Sequence, residues 1–177
     1  MDVVLVDEQG QPVGVAPKNM VHTAETPLHL AFSCHVLNGN GEVLITRRAL
    51  SKKTWPGVWT NSFCGHPTPG ESITDALTRH ARGELGATLE KVSIELPDFR
   101  YRAVDASGVV ENEVCPVFTA HLNGGLTPHP AEVLEYRWVS PSDLRTSLTA
   151  TPWAFSPWLT LQAPLMELYS NSAAEKG

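Results

Sequence analysis

Apolar and polar positions along this chain run in short stretches of two periods, separated by turn residues. "VVLVD" (3–7), halted by the turn "EQGQP", predicts a first strand. "LHLAFSCHVLN" (28–38) and "VLITRRA" (43–49), joined through "GNGE", predict a hairpin, with "GVWTNSF" (57–63) a further short strand. The period then changes. "ESITDALTRHARGELGA" (71–87) is helical, with Ser72 and Asp75 approximating a capping box and Gly86 where a helix stops. Strands follow at about 91–96, then "FRYRAV" and "VVENEVCPVFTAHL" pair around "DASG", and "EVLEYRWV" (132–139) is another strand. "PSDLRTSL" predicts a short helix, and "SPWLTLQAPLMELY" a last helical segment interrupted at Pro164. Strands first, with a mid-chain and a terminal helix, predict an α/β fold: a mixed β-sheet sandwiched between helices.

Size and composition narrow the function classes. A chain of 177 residues is expected to form a single domain, 1–177, with its core over about 3–165 and a C-terminal tail over about 168–177. An apolar fraction of 42% with 18% charged residues marks a globular chain, and no apolar run approaches the length of a membrane span. The acidic start "MDVVLVDEQGQ" lacks the features of a secretory signal. Three cysteines without a CxxC pair argue against a disulfide framework or zinc ribbon and point to a reducing cytoplasm. A net charge of −6 disfavours nucleic acid, yet "RRALSKK" gathers four of the 13 cations over residues 47–53. Such a patch suits a small anion; a solvated strand end is the plainer alternative.

Two constellations carry candidate chemistry. From Gly65, five residues lead to Glu71 and seven more to Arg79, a spacing that resembles the Nudix box, which gathers glutamates on one helix face to hold divalent cations against a diphosphate. Two of its glutamate positions are here His80 and Gly83, so the face keeps only Glu84. The several-metal arrangement of a hydrolase cannot be built on it as in that pattern. The second constellation is His22, His29 and His66 with Glu111 and Glu113. The two glutamates stand two apart on a predicted strand and leave the same face, where they repel unless something positive lies between them. A manganese, zinc or magnesium ion would resolve that repulsion. The alternative is a solvent-facing carboxylate pair with unrelated histidines.

"HTAETPLHLAFS", "ITRRALSKKTWPGVWTNSFCGHP", the altered box, "DFRYRAVDASGVVENEVCPVF" and "TPWAFSPW" together resemble the type 1 isopentenyl-diphosphate isomerases, from about residue 3 to 165. The resemblance implies interconversion of isopentenyl and dimethylallyl diphosphate by adding one proton and removing another through a carbocation-like intermediate. It implies Cys64 and Glu113 as an acid–base pair on opposite faces of the substrate, Tyr101 as a hydrogen-bonding partner of the carboxylate, and Trp158 as the aromatic wall facing the cation. It further implies that His22, His29, His66, Glu111 and Glu113 ligate one metal (manganese, magnesium or zinc). Glu84, with the carbonyl of Cys64, would hold a diphosphate-bound magnesium, and Lys18, Arg48, Lys52 and His80 would contact the diphosphate. Cys34, Cys115 and the other four tryptophans read as core residues. The expected partner is a small diphosphate rather than nucleic acid or a membrane, and the expected assembly a monomer or weak homodimer. A Nudix-type diphosphate hydrolase and a catalytically silent metal-binding module are the competing readings.

Overall fold

The computed structural model describes residues 1–170. Its strands are β1 (Asp2–Val6), β2 (Pro12–Pro17), β3 (His29–Leu30), β4 (Phe32–Leu37), β5 (Val43–Arg48), β6 (Trp59–Thr60), β7 (Phe63–Gly65), β8 (Thr88–Leu96), β9 (Arg100–Val104), β10 (Val110–Val114), β11 (Val117–Asn123) and β12 (Val133–Val139). The helices are α1 (Lys18–Val21), α2 (Ile73–Leu85), α3 (Pro141–Ala150) and α4 (Pro157–Gln162). The strands divide between two sheets, ordered β2-β1-β3-β10-β9 and β12-β5-β4-β11-β8, with β6 on β5 and β7 on β4. Each is mixed: β3 pairs with β10, and β4 with β11, in parallel, while the other pairings are antiparallel. Among the described residues no helix is long and apolar enough to cross a membrane.

Two stretches that the periodicity reads as single strands, 28–38 and 109–122, are each shared between the sheets. The chain leaves the first sheet at Ala31 and at Cys115–Pro116. Their mutual register is the same on both sides of this junction, with His29 opposite Glu113 and Ser33 opposite Val117. Ala31 and Ser33 donate to the carbonyls of Val114 and Pro116 across it. Proline has no N–H to continue a ladder, so the sheets part at Pro116 while the two strands stay side by side. The predicted hairpin forms, but β4 and β5 pair only at Leu37–Val43 before β6 and β7 enter between them.

Helix α2 follows its sequence signals. Ser72 Oγ accepts from the Asp75 amide at 3.1 Å, and Gly86 turns left-handed at φ 57°. A Cβ at Gly86 would come within 2.6 Å of the Thr127 carbonyl, so two constraints select glycine there. Ala76, Leu77, His80, Ala81 and Leu85 form the buried stripe, at the spacing of one helix face. Gly83 lies on the exposed side with open space around it. Gly83→Ala is therefore expected to stabilise the fold by about 0.5–1 kcal/mol in denaturant titration; a lowered midpoint would show that the flexible residue relieves a strain elsewhere.

Packing extends past the expected core limit at 165. Met166 and Tyr169 are buried, and the Tyr169 hydroxyl lies 2.7 Å from His35 Nδ1. Of the proposed tail only 168–170 can be placed, and these residues are docked; 171–177 lie outside the described residues. Trp153 corrects a second expectation. It is 81% exposed rather than part of the core.

Candidate active site

The parallel pairing of β3 with β10 brings the second constellation together. His29 stands directly opposite Glu113. His22, just after α1, and His66, just after β7, complete a buried group in which His22, His29, His66 and Glu113 offer ligand atoms within 4.8 Å of one another. Glu111 adjoins it, with Oε2 3.0 Å from His22 Nε2. Glu113 Oε1 lies 3.1 Å from His66 Nε2 and 3.5 Å from His29 Nε2, and Tyr101 donates its hydroxyl to Glu113 Oε2 at 2.9 Å. All five candidate ligands gather, which disfavours the solvent-facing alternative.

Hydrogen bonding tests whether the group fits a cation. His29 Nδ1 is 2.9 Å from the Pro27 carbonyl, which can only accept, so Nδ1 carries the proton and Nε2 aims its lone pair at Glu113. His22 Nε2, His29 Nε2, His66 Nδ1 and Glu111 Oε2 are buried without a hydrogen-bond partner despite these close approaches. Converging lone pairs of nitrogen and carboxylate oxygen fit a divalent metal ion. Burial alone would raise the Glu113 pKa, but the bonds and charges of His29 and His66 outweigh it and hold the carboxyl well below its usual range. Burial pushes His66 down to about 4, whereas for His29 the Glu113 contacts overcome burial and the pKa rises.

A cavity of about 610 Å³ opens beside this cluster. Cys64, Tyr101, Glu113 and Trp158 line it together with Lys18, Arg48, Lys52 and Glu84. Burial pushes the Cys64 thiol up to about 12, so the sulfur rests protonated. The β5 cations separate by strand alternation. Arg47 pairs away from the cavity with Glu135 at 2.9 Å, while Arg48 turns inward and its guanidinium carbon lies 5.2 Å from the Trp158 ring centroid. Lys52 is paired with Glu132, and Lys18 loses basicity chiefly through burial. A second groove of about 630 Å³, along residues 96–100 with Leu161 and Leu165, contains no cluster of three metal-ligating side chains among the described residues.

His80 does not stand where the sequence reading expected it. It is 6% exposed and not part of the cavity wall, because position 80 falls on the inward stripe of α2. Its Nδ1 lies 2.6 Å from Glu84 Oε1, and the ring packs so closely on Gly65 that a Cβ there would come within 2.6 Å of it. His80 thus backs the carboxylate that faces the cavity.

Glu71 and Arg79 have a structural task. Arg79 grips both carboxylate oxygens of Glu71, at 2.8 and 2.7 Å, and donates to the His66 carbonyl at 3.1 Å. This clamps the loop carrying His66 to α2. The Arg79 bonds hold the Glu71 carboxyl at about 2, against 4.5 when unpaired. A depressed carboxylate stabilises the fold above its unfolded pKa and loses that contribution as pH falls through the folded value. The melting midpoint of Glu71→Gln is thus expected to lie below the unaltered protein's at pH 6 and to converge with it towards pH 2, by scanning calorimetry; parallel curves would remove Glu71 from the acid response.

Sequence reasoning missed Thr54, whose hydroxyl donates to Glu111 Oε1 at 2.7 Å while its carbonyl accepts from Arg48 at 2.8 Å. It also missed Asn61 and Ser33 beside the Cys64 sulfur. For Asn61 the polar run "TNS" inside an apolar strand pattern was the available signal.

Two mixed sheets with α2 behind a cavity that adjoins a buried His/Glu group define a Nudix-type protein, and the NUDIX domain family matches residues 27–159. A crystal structure from Deinococcus radiodurans superposes with a TM-score of 0.73, covering 94% of this chain and 99% of that one at 18% identity, which speaks for the fold alone. Within that class the chain belongs to the isopentenyl-diphosphate Delta-isomerases. It is 60% identical to the protein so named from Clavibacter sepedonicus over 99% of this chain and 91% of the relative. It is likewise 60% identical to the one from Paenarthrobacter aurescens, over 92% and 88%. The corresponding figures for the one from Citrobacter koseri are 53% identity over 91% and 89%.

Proposed function

We propose that this isomerase interconverts isopentenyl and dimethylallyl diphosphate with Cys64 and Glu113 as its acid–base pair. The observation that carries this reading is the meeting of the thiol, the Tyr101-bound carboxylate, the Trp158 indole and a group of cations in one cavity. The chemistry explains the need for each. An alkene is a very weak base, so its terminal carbon takes a proton only from a positioned acid in a dry site. The resulting tertiary cation is relieved when the second group removes a proton two carbons away, moving the double bond and leaving the atom count unchanged. The indole face steadies the positive charge in between. Tyr101 holds Glu113 by one oxygen and orients it towards the substrate.

Arg48, Lys52 and Lys18 would bind the diphosphate. His22, His29, His66, Glu111 and Glu113 would hold manganese, magnesium or zinc, and Glu84 with the Cys64 carbonyl a magnesium. When bound, these ions supply positive charge that tunes the Glu113 carboxyl and offsets the diphosphate. Three free thiols suit a reducing compartment such as the cytoplasm. Against the hydrolase reading, α2 carries His80 and Gly83 where that chemistry needs further carboxylates.

The deciding experiment is incubation with isopentenyl diphosphate and magnesium in deuterated water. Deuterium in the allylic product supports the proposal, whereas phosphate release without label would favour hydrolysis, and neither would leave a silent module.

A further inference from the structure

The groups that do the chemistry come from distant parts of the chain, and one buried side chain touches two of them. Asn61, fully buried between β6 and β7, is not a titratable group. Its Nδ2 donates to Ser33 Oγ and to the carbonyls of Cys34 and Phe63, each at 2.9 Å. Carbonyls only accept, so the carboxamide cannot be turned around. Its Oδ1 must then face the other side, where three donors meet it: Thr60 Oγ1 at 2.9 Å, Trp158 Nε1 at 3.0 Å and Cys64 Sγ at 3.4 Å.

We infer that Asn61 is a positioning residue whose single carboxamide oxygen registers the Cys64 thiol against the Trp158 indole. This rests on the isomerase reading, because both groups must address one five-carbon chain. Trp158 lies 97 residues further along, on α4, so local geometry cannot set its distance from the sulfur. The joint between these segments is reinforced. The Ser156 amide donates to the Trp59 carbonyl at 2.8 Å, and the Ser156 and Thr60 hydroxyls are 2.8 Å apart. Ser33 Oγ, itself held by Asn61 Nδ2, lies 3.2 Å from Cys64 Sγ and donates to Gln162 Oε1, also on α4. The acid and the aromatic wall thus share a buried, hydrogen-bonded mount, and a displacement of about 1 Å at such a site can cost about a hundredfold in rate.

Steady-state kinetics, thermal melting and the Trp158 indole N–H resonance (assigned with Trp158→Phe) test this on Asn61→Ala and Thr60→Val. Asn61→Ala is expected to lower kcat by about ten- to a hundredfold with KM changed less than about twofold, and to move the indole resonance upfield as its acceptor is lost. Unchanged kcat, or activity lost only in proportion to unfolded protein, would overturn the inference. Should Asn61→Ala fail to fold, Thr60→Val decides, since it removes one donor to the same oxygen and spares the amide's backbone bonds. A severalfold fall in kcat at constant KM with a shifted resonance supports the mount; no change in either overturns it. The resonance needs no substrate. An inert unaltered protein would therefore sink the isomerase reading, and an unmoved resonance in folded Asn61→Ala would sink this one.

Discussion

Glu113→Gln is expected to cut turnover by about a thousandfold or more and to strip metal from the purified protein. The first effect is kinetic. General acid–base groups contribute roughly 10²–10⁴-fold, and a neutral amide neither takes nor gives the proton. The second follows from the geometry. Glu113 lies within reach of His29, His66 and Tyr101 at once, so its replacement leaves imidazole lone pairs facing an amide that cannot balance a divalent ion. Metal analysis after dialysis and a turnover assay read the two effects separately. Retained metal with lost turnover would confine Glu113 to proton transfer, and intact turnover would remove it from the mechanism.

Cys64→Ala is expected to lose about 10²–10⁴-fold in kcat while keeping the fold and the metal. The sulfur is small and faces the cavity, and alanine accepts the backbone of β7 unchanged, so the loss should not track stability. The thiol rests protonated because burial disfavours the thiolate. Removing it takes away the proposed proton-transfer group without leaving a buried charge behind. Melting curves and metal content equal to those of the unaltered protein, together with abolished deuterium incorporation, would support the role. Full turnover would end it.

Different parts of the molecule were legible to different degrees. The helix over 73–85 was readable because its cap, its stripe and its stop are all local signals, and each stands where the pattern put it. The carboxylate pair on β10 was readable for the same reason, since two-residue spacing fixes a face. The division of 28–38 and 109–122 between two sheets was not. Both stretches are continuous in pattern and even in register; Pro116 marks the junction in one of them, but only packing decides that the segments on either side join different sheets. His80 shows the converse limit. Helical periodicity put it on a face with Glu84, but whether that face meets ligand or protein depended on Gly65, fifteen residues earlier, leaving room for the imidazole.

By itself the sequence determined which side chains are available for chemistry and which of them share a strand or helix face, because those relations are set by backbone periods of a few residues. The tertiary structure alone decided that His29 stands against Glu113, that Asn61 joins Cys64 to Trp158, and that Tyr169 is part of the core. Such contacts depend on strand pairing and burial between segments far apart in the chain, and no local repeat encodes that distance.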